Sequence, residues 1–408
     1  LGDVYKRQLQ LPTIRVDGWE KGVDNLRKGY DISEGFLRDA LNVDISNTGK
    51  VKRRPGTTSY LAGTQCHSLY STDTYMCYVD NGTLKVINDN KTVLSSKTVN
   101  PVARFSYETV NGEVYGTNGI ETIKITHDGV ITNWGVSNPA YQPTATATSG
   151  SLFGGTYQIA ITYISSSGEE SGTDRATTVI VPDPGGILLS GFPTPPSEAA
   201  KIRVYVSYPN GGELYLYNEY PAATTSVMIS ASKIGPQLRT QFLSKIPAGI
   251  DVTYSLGKIY TCIGNMVYYT QPLRYGLYNN TADFVWTQDP VKLIWGNPEG
   301  VFVATEKETY FLTDAGSDKQ NFRLVIPYGA IPGTKADMPD KVGQMWVTPK
   351  GVVKAYSDGT IKNVSFDKVS IGDYESGAAI VREDDGLRRF VSSVKIPKVG
   401  TQFATMDF

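Results

Sequence analysis

From Gly63 to Pro139 the chain alternates apolar and polar positions in short runs, CHSLYS, TYMCYVD and TLKVIN among them, with glycine-containing turns between many of them. Asn81-Gly82, Asn111-Gly112, Asn118-Gly119 and Asp128-Gly129 separate such runs, and Asp358-Gly359 does the same far downstream. Both central positions of a type I′ turn require positive φ, so these dipeptides predict tight hairpins. VDNGTLKVI at Val79–Ile87 and YSDGTIKNV at Tyr356–Val364 match in register, which predicts equivalent hairpins in two copies of one unit. The texture changes between Asn138 and about Ile246. Pro139, Pro143 and the run TATATSGS read as a linker, after which Tyr157, Ile159, Ile161 and Tyr163 alternate on one face. ATTVIV, KIRVYVS, ELYLYNEY and SVMIS follow at the spacing of sandwich strands. Beyond Pro247-Ala248-Gly249 the first texture returns, in GKIYTCIGNMVYYTQPL, GVFVATEKETYFLTD and QMWVTPKGVVKAYSDGTIKNV.

This pattern predicts an all-β chain: a β-propeller interrupted by a fibronectin-III- or immunoglobulin-like β-sandwich. At roughly 40 to 50 residues per blade, the flanking segments hold about six blades. The expected boundaries are 9–136 for the first part of the propeller, 137–246 for the sandwich and 247–408 for the second part. Residues 1–8, LGDVYKRQ, read as translated sequencing adapter and are set apart from the fold.

Near the start, Leu41, Val43 and Ile45 alternate as a buried strand, Asn47-Thr48-Gly49 reverses the chain, and Lys50, Lys52 and Arg54 alternate on the returning strand until Pro55-Gly56. Four cations, Lys50, Lys52, Arg53 and Arg54, thus follow two carboxylates, Asp39 and Asp44. One reading pairs Arg53 or Arg54 with Asp39 or Asp44 and leaves the lysines solvated, since charge runs are usually solvated faces. The other turns the cluster toward phosphate. The first is the expectation here, with the cluster bracing the hairpin and subunit contacts.

Composition narrows the chemistry. With 39 basic and 40 acidic side chains the chain lacks the bulk charge of a dedicated nucleic-acid binder. Three cysteines, Cys66, Cys77 and Cys262, make no disulfide framework and suit assembly in a reducing cytoplasm. No apolar window reaches the roughly 18 residues of a membrane span. His67 and His127 stand apart from any Cys or acidic cluster at ligand spacing, and the stretch from Asn42 has Asn47 and Arg53 where a calcium loop needs Gly and Glu. Glu169-Glu170 reads as a solvated turn, and Glu383-Asp384-Asp385 before Gly386 as a surface turn rather than a glycosidase pair. No nucleophile elbow, phosphate loop or dinucleotide fingerprint is present. The expectation is therefore no catalytic residue, no metal, no cofactor and no enzymatic activity.

Leu37-Arg38-Asp39-Ala40, Asn42-Val43-Asp44, Gly49 and Arg53-Arg54-Pro55-Gly56 together resemble the opening of tail proteins of short-tailed bacteriophages, the nozzle or tubular proteins and their packaged-DNA-stabilising relatives. TYISSSGEESG at Thr162–Gly172 with IRVYVSYPNGGELY at Ile202–Tyr215, and YGAIPGT at Tyr328–Thr334, resemble further parts of that family. The resemblance implies a virion structural protein assembled in the host cytoplasm. It would form a homo-oligomeric ring, contact portal or adaptor and other tail proteins, and retain and pass double-stranded DNA. A rival reading is a carbohydrate-binding or carbohydrate-cleaving propeller of a phage tail or bacterial surface.

Overall fold

The computed structural model describes residues 18–395 apart from 47, 57, 340–342, 366, 370, 373 and 385–386, so the adapter-like segment 1–8 lies outside the described residues. The described residues form strands and no helix. They fall into two compact units. One takes in Gly63–Gly333 and Tyr356–Thr360, the other the chain before Gly63, Thr334–Ala355 and the chain from Ile361 onward.

Apart from an inserted sandwich, the larger unit contains four four-stranded sheets. The first comprises His67–Ser71, Met76–Asp80, Thr83–Ile87 and Val93–Thr98, and the second Ser106–Val110, Glu113–Thr117, Thr122–Ile125 and Ile131–Thr132. The third comprises Val252–Ser255, Lys258–Ile263, Met266–Tyr269 and Phe284–Trp286, and the fourth Val291–Asn297, Gly300–Thr305, Thr309–Thr313 and Asn321–Ile326. Each packs on the next through apolar faces. Cys77, Val79, Leu84 and Val86 of the first sheet meet Tyr107, Val114, Ile123 and Ile125 of the second. Val110, Tyr115 and Trp134 meet Val252 and Ile259 of the third, whose Tyr260, Cys262 and Val267 meet Ile294, Val301 and Val303 of the fourth.

Outside the sandwich, a fifth four-stranded sheet, Ala336–Asp337, Gly343–Thr348, Gly351–Tyr356 and Ile361–Asn363, follows in the chain. The N-terminal stretch forms only two-stranded pairs: Gly22–Val23 beside Phe36–Leu37, and the hairpin Val43–Ile45 with Val51–Arg53. Its strands are too short and too exposed to make a sheet core, and Leu41, expected inside, is 88% exposed. A long hairpin, Ser376–Asp384 with Leu387–Lys395, follows the fifth sheet.

Two of the five turn dipeptides have the expected form, while Asn118-Gly119, Asp128-Gly129 and Asp358-Gly359 take positive φ at the glycine alone. Asn81-Gly82 and Asn111-Gly112 take positive φ at both positions (46° and 75°, 52° and 80°), as a type I′ turn demands. The internal repeat does not hold. Val79–Ile87 spans the second and third strands of its sheet, whereas Tyr356–Val364 spans the third and fourth, so the two hairpins are not equivalent. Their shared residues reflect the common needs of a tight turn.

Between the second and third sheets stands a two-sheet sandwich with one core, in which Tyr157, Ile159, Ile161 and Tyr163 pack with Ile187, Leu189, Ile202, Val204 and Ile229. Its first strand, Thr144–Leu152, is the segment expected to be a linker. The alternation of Thr and Ala there is that of a strand with a small inner face, and Ala145 packs on the core. Counted along the chain, the strands lie first-fourth-seventh in one sheet and third-second-fifth-sixth in the other. This differs from the ABED and CFG sheets of an immunoglobulin constant domain.

One buried carboxylate ties three sheets together. Asp251, 6% exposed, accepts hydrogen bonds from the Ser106 hydroxyl at 2.5 Å and from the Val252 N–H at 2.9 Å through Oδ1, and from the Ile294 N–H at 2.9 Å through Oδ2. Ser106, Val252 and Ile294 lie on the first strands of the second, third and fourth sheets. Asp251→Ala would leave two buried N–H groups without that acceptor, at about 1–3 kcal/mol each. Chemical denaturation should register a loss of about 3 kcal/mol for Asp251→Ala and about 1 kcal/mol for Ser106→Ala; equal effects would show that the backbone bonds to Asp251 contribute nothing.

Candidate functional site

Where the sandwich meets the second and third sheets lies a cleft of ≈ 680 Å³, within the roughly 300–1,000 Å³ of small-molecule sites. Its floor is a charge network. Lys124, on a strand of the second sheet and only 7% exposed at its side chain, lies 2.8 Å from Glu169 and 3.5 Å from Glu113. Its neighbours Ile123 and Ile125 point into the core between the first two sheets, so strand alternation delivers Lys124 to the opposite face. Glu169 also accepts the Gly135 N–H at 3.1 Å, and Glu113 accepts the Tyr115 hydroxyl at 2.9 Å.

Glu170 serves the sandwich itself. It accepts the hydroxyls of Tyr205 at 2.6 Å and Thr162 at 2.7 Å, and pairs with Arg203 at 2.8 Å. Arg203 in turn pairs with Glu219 at 2.7 Å. The expectation of a solvated turn at Glu169-Glu170 is therefore corrected: the loop folds back on strand Gly155–Ser165, with Ser171 N–H donating to Tyr163 O at 2.8 Å, and the two consecutive side chains diverge to different partners. Burial and the adjacent Glu113 push the Tyr115 phenol far above its ordinary range, and burial with Glu170 does the same to Tyr205. Both hydroxyls stay protonated and act as donors.

Beyond the cleft, Glu198 accepts the Ser137 N–H and hydroxyl at 3.1 and 2.7 Å and lies 3.7 Å from Lys245. Asn138 donates to Leu243 O at 2.8 Å. At Gly172 a side chain is excluded, since a Cβ would stand 1.7 Å from the Leu243 carbonyl oxygen. The two connections to the sandwich are thus clasped to it and to each other. Trp134 closes the back of the site, fully buried and donating to Tyr275 O at 2.5 Å, with Tyr115 edge-on to both rings.

The cationic cluster singled out in the sequence lies elsewhere, on the N-terminal hairpin. Arg54 pairs with Asp44 at 3.2 Å, with side chains 52% and 20% exposed, so the contact is worth roughly 0.2–1 kcal/mol. Asp39 instead accepts the N–H of its neighbour Ala40 at 2.7 Å. Lys50, Lys52 and Arg53 are exposed. Arg53 and Arg54 line a surface groove with Asn42, Pro55 and Gly56. Glu383 pairs with Arg388 across the C-terminal hairpin at 3.0 Å, while Asp385 and Gly386 lie outside the described residues.

No protein-family model matches the sequence, and no curated protein matches it. Among solved structures, the chain is similar to BBS1N in complex with ARL6DN at 11% identity, over 83% of this chain and 94% of that one, with a TM-score of 0.32. It is similar to Kluyveromyces lactis Hsv2 at 9% identity, over 85% and 89% of the two chains, with a TM-score of 0.28. Apo AztD from Citrobacter koseri gives 13% identity over 82% and 90%, also at 0.28. At these TM-scores the likenesses decide nothing about function.

Three side chains in this region were not legible as a site because their partners come from distant parts of the chain: Lys124 from Glu169, Ser137 from Glu198, and Trp134 from Tyr275. The one local signal was a lysine between two buried isoleucines.

Two measurements check this description. Glu169→Ala removes the nearer carboxylate from the buried Lys124 ammonium and leaves it Glu113 at 3.5 Å, which should cost on the order of 2–3 kcal/mol, less than a fully broken buried pair, against under about 1 kcal/mol for Asp44→Ala. The second concerns acid. Hydrogen bonds from Arg203 and Lys201 lower the Glu219 pKa, and at Glu198 burial raises it but the Ser137 donors and Lys245 outweigh burial and lower it overall. A carboxylate lowered on folding contributes stability above its unfolded value of about 4.3 and loses it as pH falls through the folded value. The melting temperature should therefore drop below about pH 4, and less steeply in Glu198→Gln/Glu219→Gln; identical acid profiles would contradict these assignments.

Proposed function

We propose that the chain is a non-enzymatic structural protein of a phage virion, similar to the tail nozzle or ring proteins of short-tailed phages. In this reading a β-propeller of about six blades, interrupted by a fibronectin-III-like sandwich, assembles with copies of itself into a ring continuing the tail channel. The ring would be built in the host cytoplasm, meet portal or adaptor and other tail proteins, and contact packaged double-stranded DNA only transiently.

The observation that carries this reading is the sequence resemblance at Leu37–Gly56, Thr162–Tyr215 and Tyr328–Thr334. What the ionisable groups do supports it: Lys124, Glu169, Glu170, Arg203 and Glu198 are engaged with one another and with backbone groups, as befits bracing rather than turnover. Glu383 is likewise engaged, by Arg388. None of the described residues forms a helix long and apolar enough to cross a membrane.

A sliding duplex needs a weak grip, because each neutralised phosphate steepens the salt dependence of binding. The cluster Lys50, Lys52, Arg53 and Arg54 then braces the hairpin and neighbouring subunits, and planar guanidinium suits the carboxylate of Asp44. Electron microscopy of the purified protein should show closed rings; uniform monomers at micromolar concentration would contradict the proposal. Arg53→Gln/Arg54→Gln should reduce ring assembly and leave weak duplex-DNA binding nearly unchanged, whereas intact rings with a collapsed DNA affinity and salt slope would assign the cluster to phosphate.

A further inference from the structure

The cleft beside the sandwich holds two guanidinium groups that the charge network does not use. Arg239 and Arg274 line it, and neither belongs to the ion pairs described above; Arg274 reaches the Arg239 carbonyl at 2.8 Å, which brings the two residues together at one end. Beside them Thr240, 4% exposed, has a buried hydroxyl oxygen without a hydrogen-bond partner. A buried polar atom left unpaired is costly unless something occupies the site.

The rim carries a second, independent feature. Gln271, Pro272, Leu273 and Arg274 form a tight turn closed by the Arg274 N–H to the Gln271 carbonyl at 3.1 Å. Leu273, at the third position, has φ 59° and is 74% exposed. With proline at the second position and positive φ at the third, Gly or Asn is the favoured occupant. A leucine there is held in a strained backbone conformation and gains nothing from burial. Such outliers cluster at active sites and ligand clamps.

We propose that this cleft binds an acidic saccharide. Arg239 and Arg274 would clamp its carboxylate. The floor, with Glu113 and Glu169, repels a second anion but retains lone pairs that accept hydroxyl protons. A ligand that is anionic at one end and hydroxyl-rich along the rest satisfies both, and Leu273 covers its apolar face. The cleft volume of ≈ 680 Å³ accommodates a short oligosaccharide. The inference is independent of ring assembly, since every residue invoked belongs to one chain and one compact unit.

The test is a glycan array carrying uronic-acid, sialic-acid and neutral glycans, probed with the full chain, followed by calorimetric titration of the best acidic glycan. Acidic glycans should be retained over neutral ones. Arg239→Gln/Arg274→Gln should weaken the titrated affinity at least tenfold, and Leu273→Gly should weaken it while melting no lower than the parent, which separates binding from folding. Retention of no acidic glycan above the neutral ones, or an affinity unchanged in the arginine double variant, would overturn the proposal. Full displacement of the glycan by an equal concentration of inorganic phosphate would also overturn it, leaving a simple anion site.

Discussion

The arrangement of the larger unit depends on satisfying polar backbone where sheets converge. First strands of three consecutive sheets come together with their N–H groups turned away from water, and a sheet's own ladder cannot satisfy every one of them. Asp251 resolves this with one side chain, taking donors from Ser106, Val252 and Ile294. Thr253 repeats the device nearby, accepting the Gly296 N–H at 2.7 Å. Apolar packing between faces sets how closely the sheets approach; these side-chain acceptors set their register, because a shift of one residue would leave buried donors unpaired.

The sandwich follows the same logic with charge. An inserted module on two connections would swing freely unless its base were fixed. Here the base is fixed by polar groups that have already been desolvated: Lys124 with Glu169, Ser137 and Lys245 with Glu198, Asn138 with the Leu243 carbonyl. Buried ion pairs contribute little net stability against apolar replacements, but breaking one is expensive. They therefore favour one seating of the module over others more than they strengthen it. That seating also shapes the cleft, whose walls come from both sides of the junction.

Much of this was legible in the sequence, for local reasons. The alternation of Tyr157, Ile159, Ile161 and Tyr163 announced a sandwich core strand, and Asn-Gly dipeptides announced turns whose φ values only a few residues tolerate. What failed did so for equally physical reasons. TATATSGS has the polarity of a linker, and only the opposing strand Gly185–Ser190 makes it a strand. Leu41 has the side chain of a core residue but no sheet to enter. Glu169-Glu170 has the composition of a solvated turn, and its partners Lys124, Arg203 and Tyr205 lie 33 to 45 positions away. Of the cationic hairpin, the Arg54–Asp44 pair was readable because Asp44 lies opposite Lys52 on the facing strand and Arg54 follows that strand directly.

The claim on which the rest stands is that side-chain carboxylates hold backbone donors across module boundaries. Hydrogen–deuterium exchange at single-residue resolution tests it at the amides of Ile294 and Gly135, whose acceptors are Asp251 and Glu169. Both should exchange as slowly as amides within the strands they adjoin, and Glu169→Gln should speed the Gly135 amide while leaving Ile294 unchanged. Exchange of both amides at the rate of exposed loops in the unaltered protein would contradict the account.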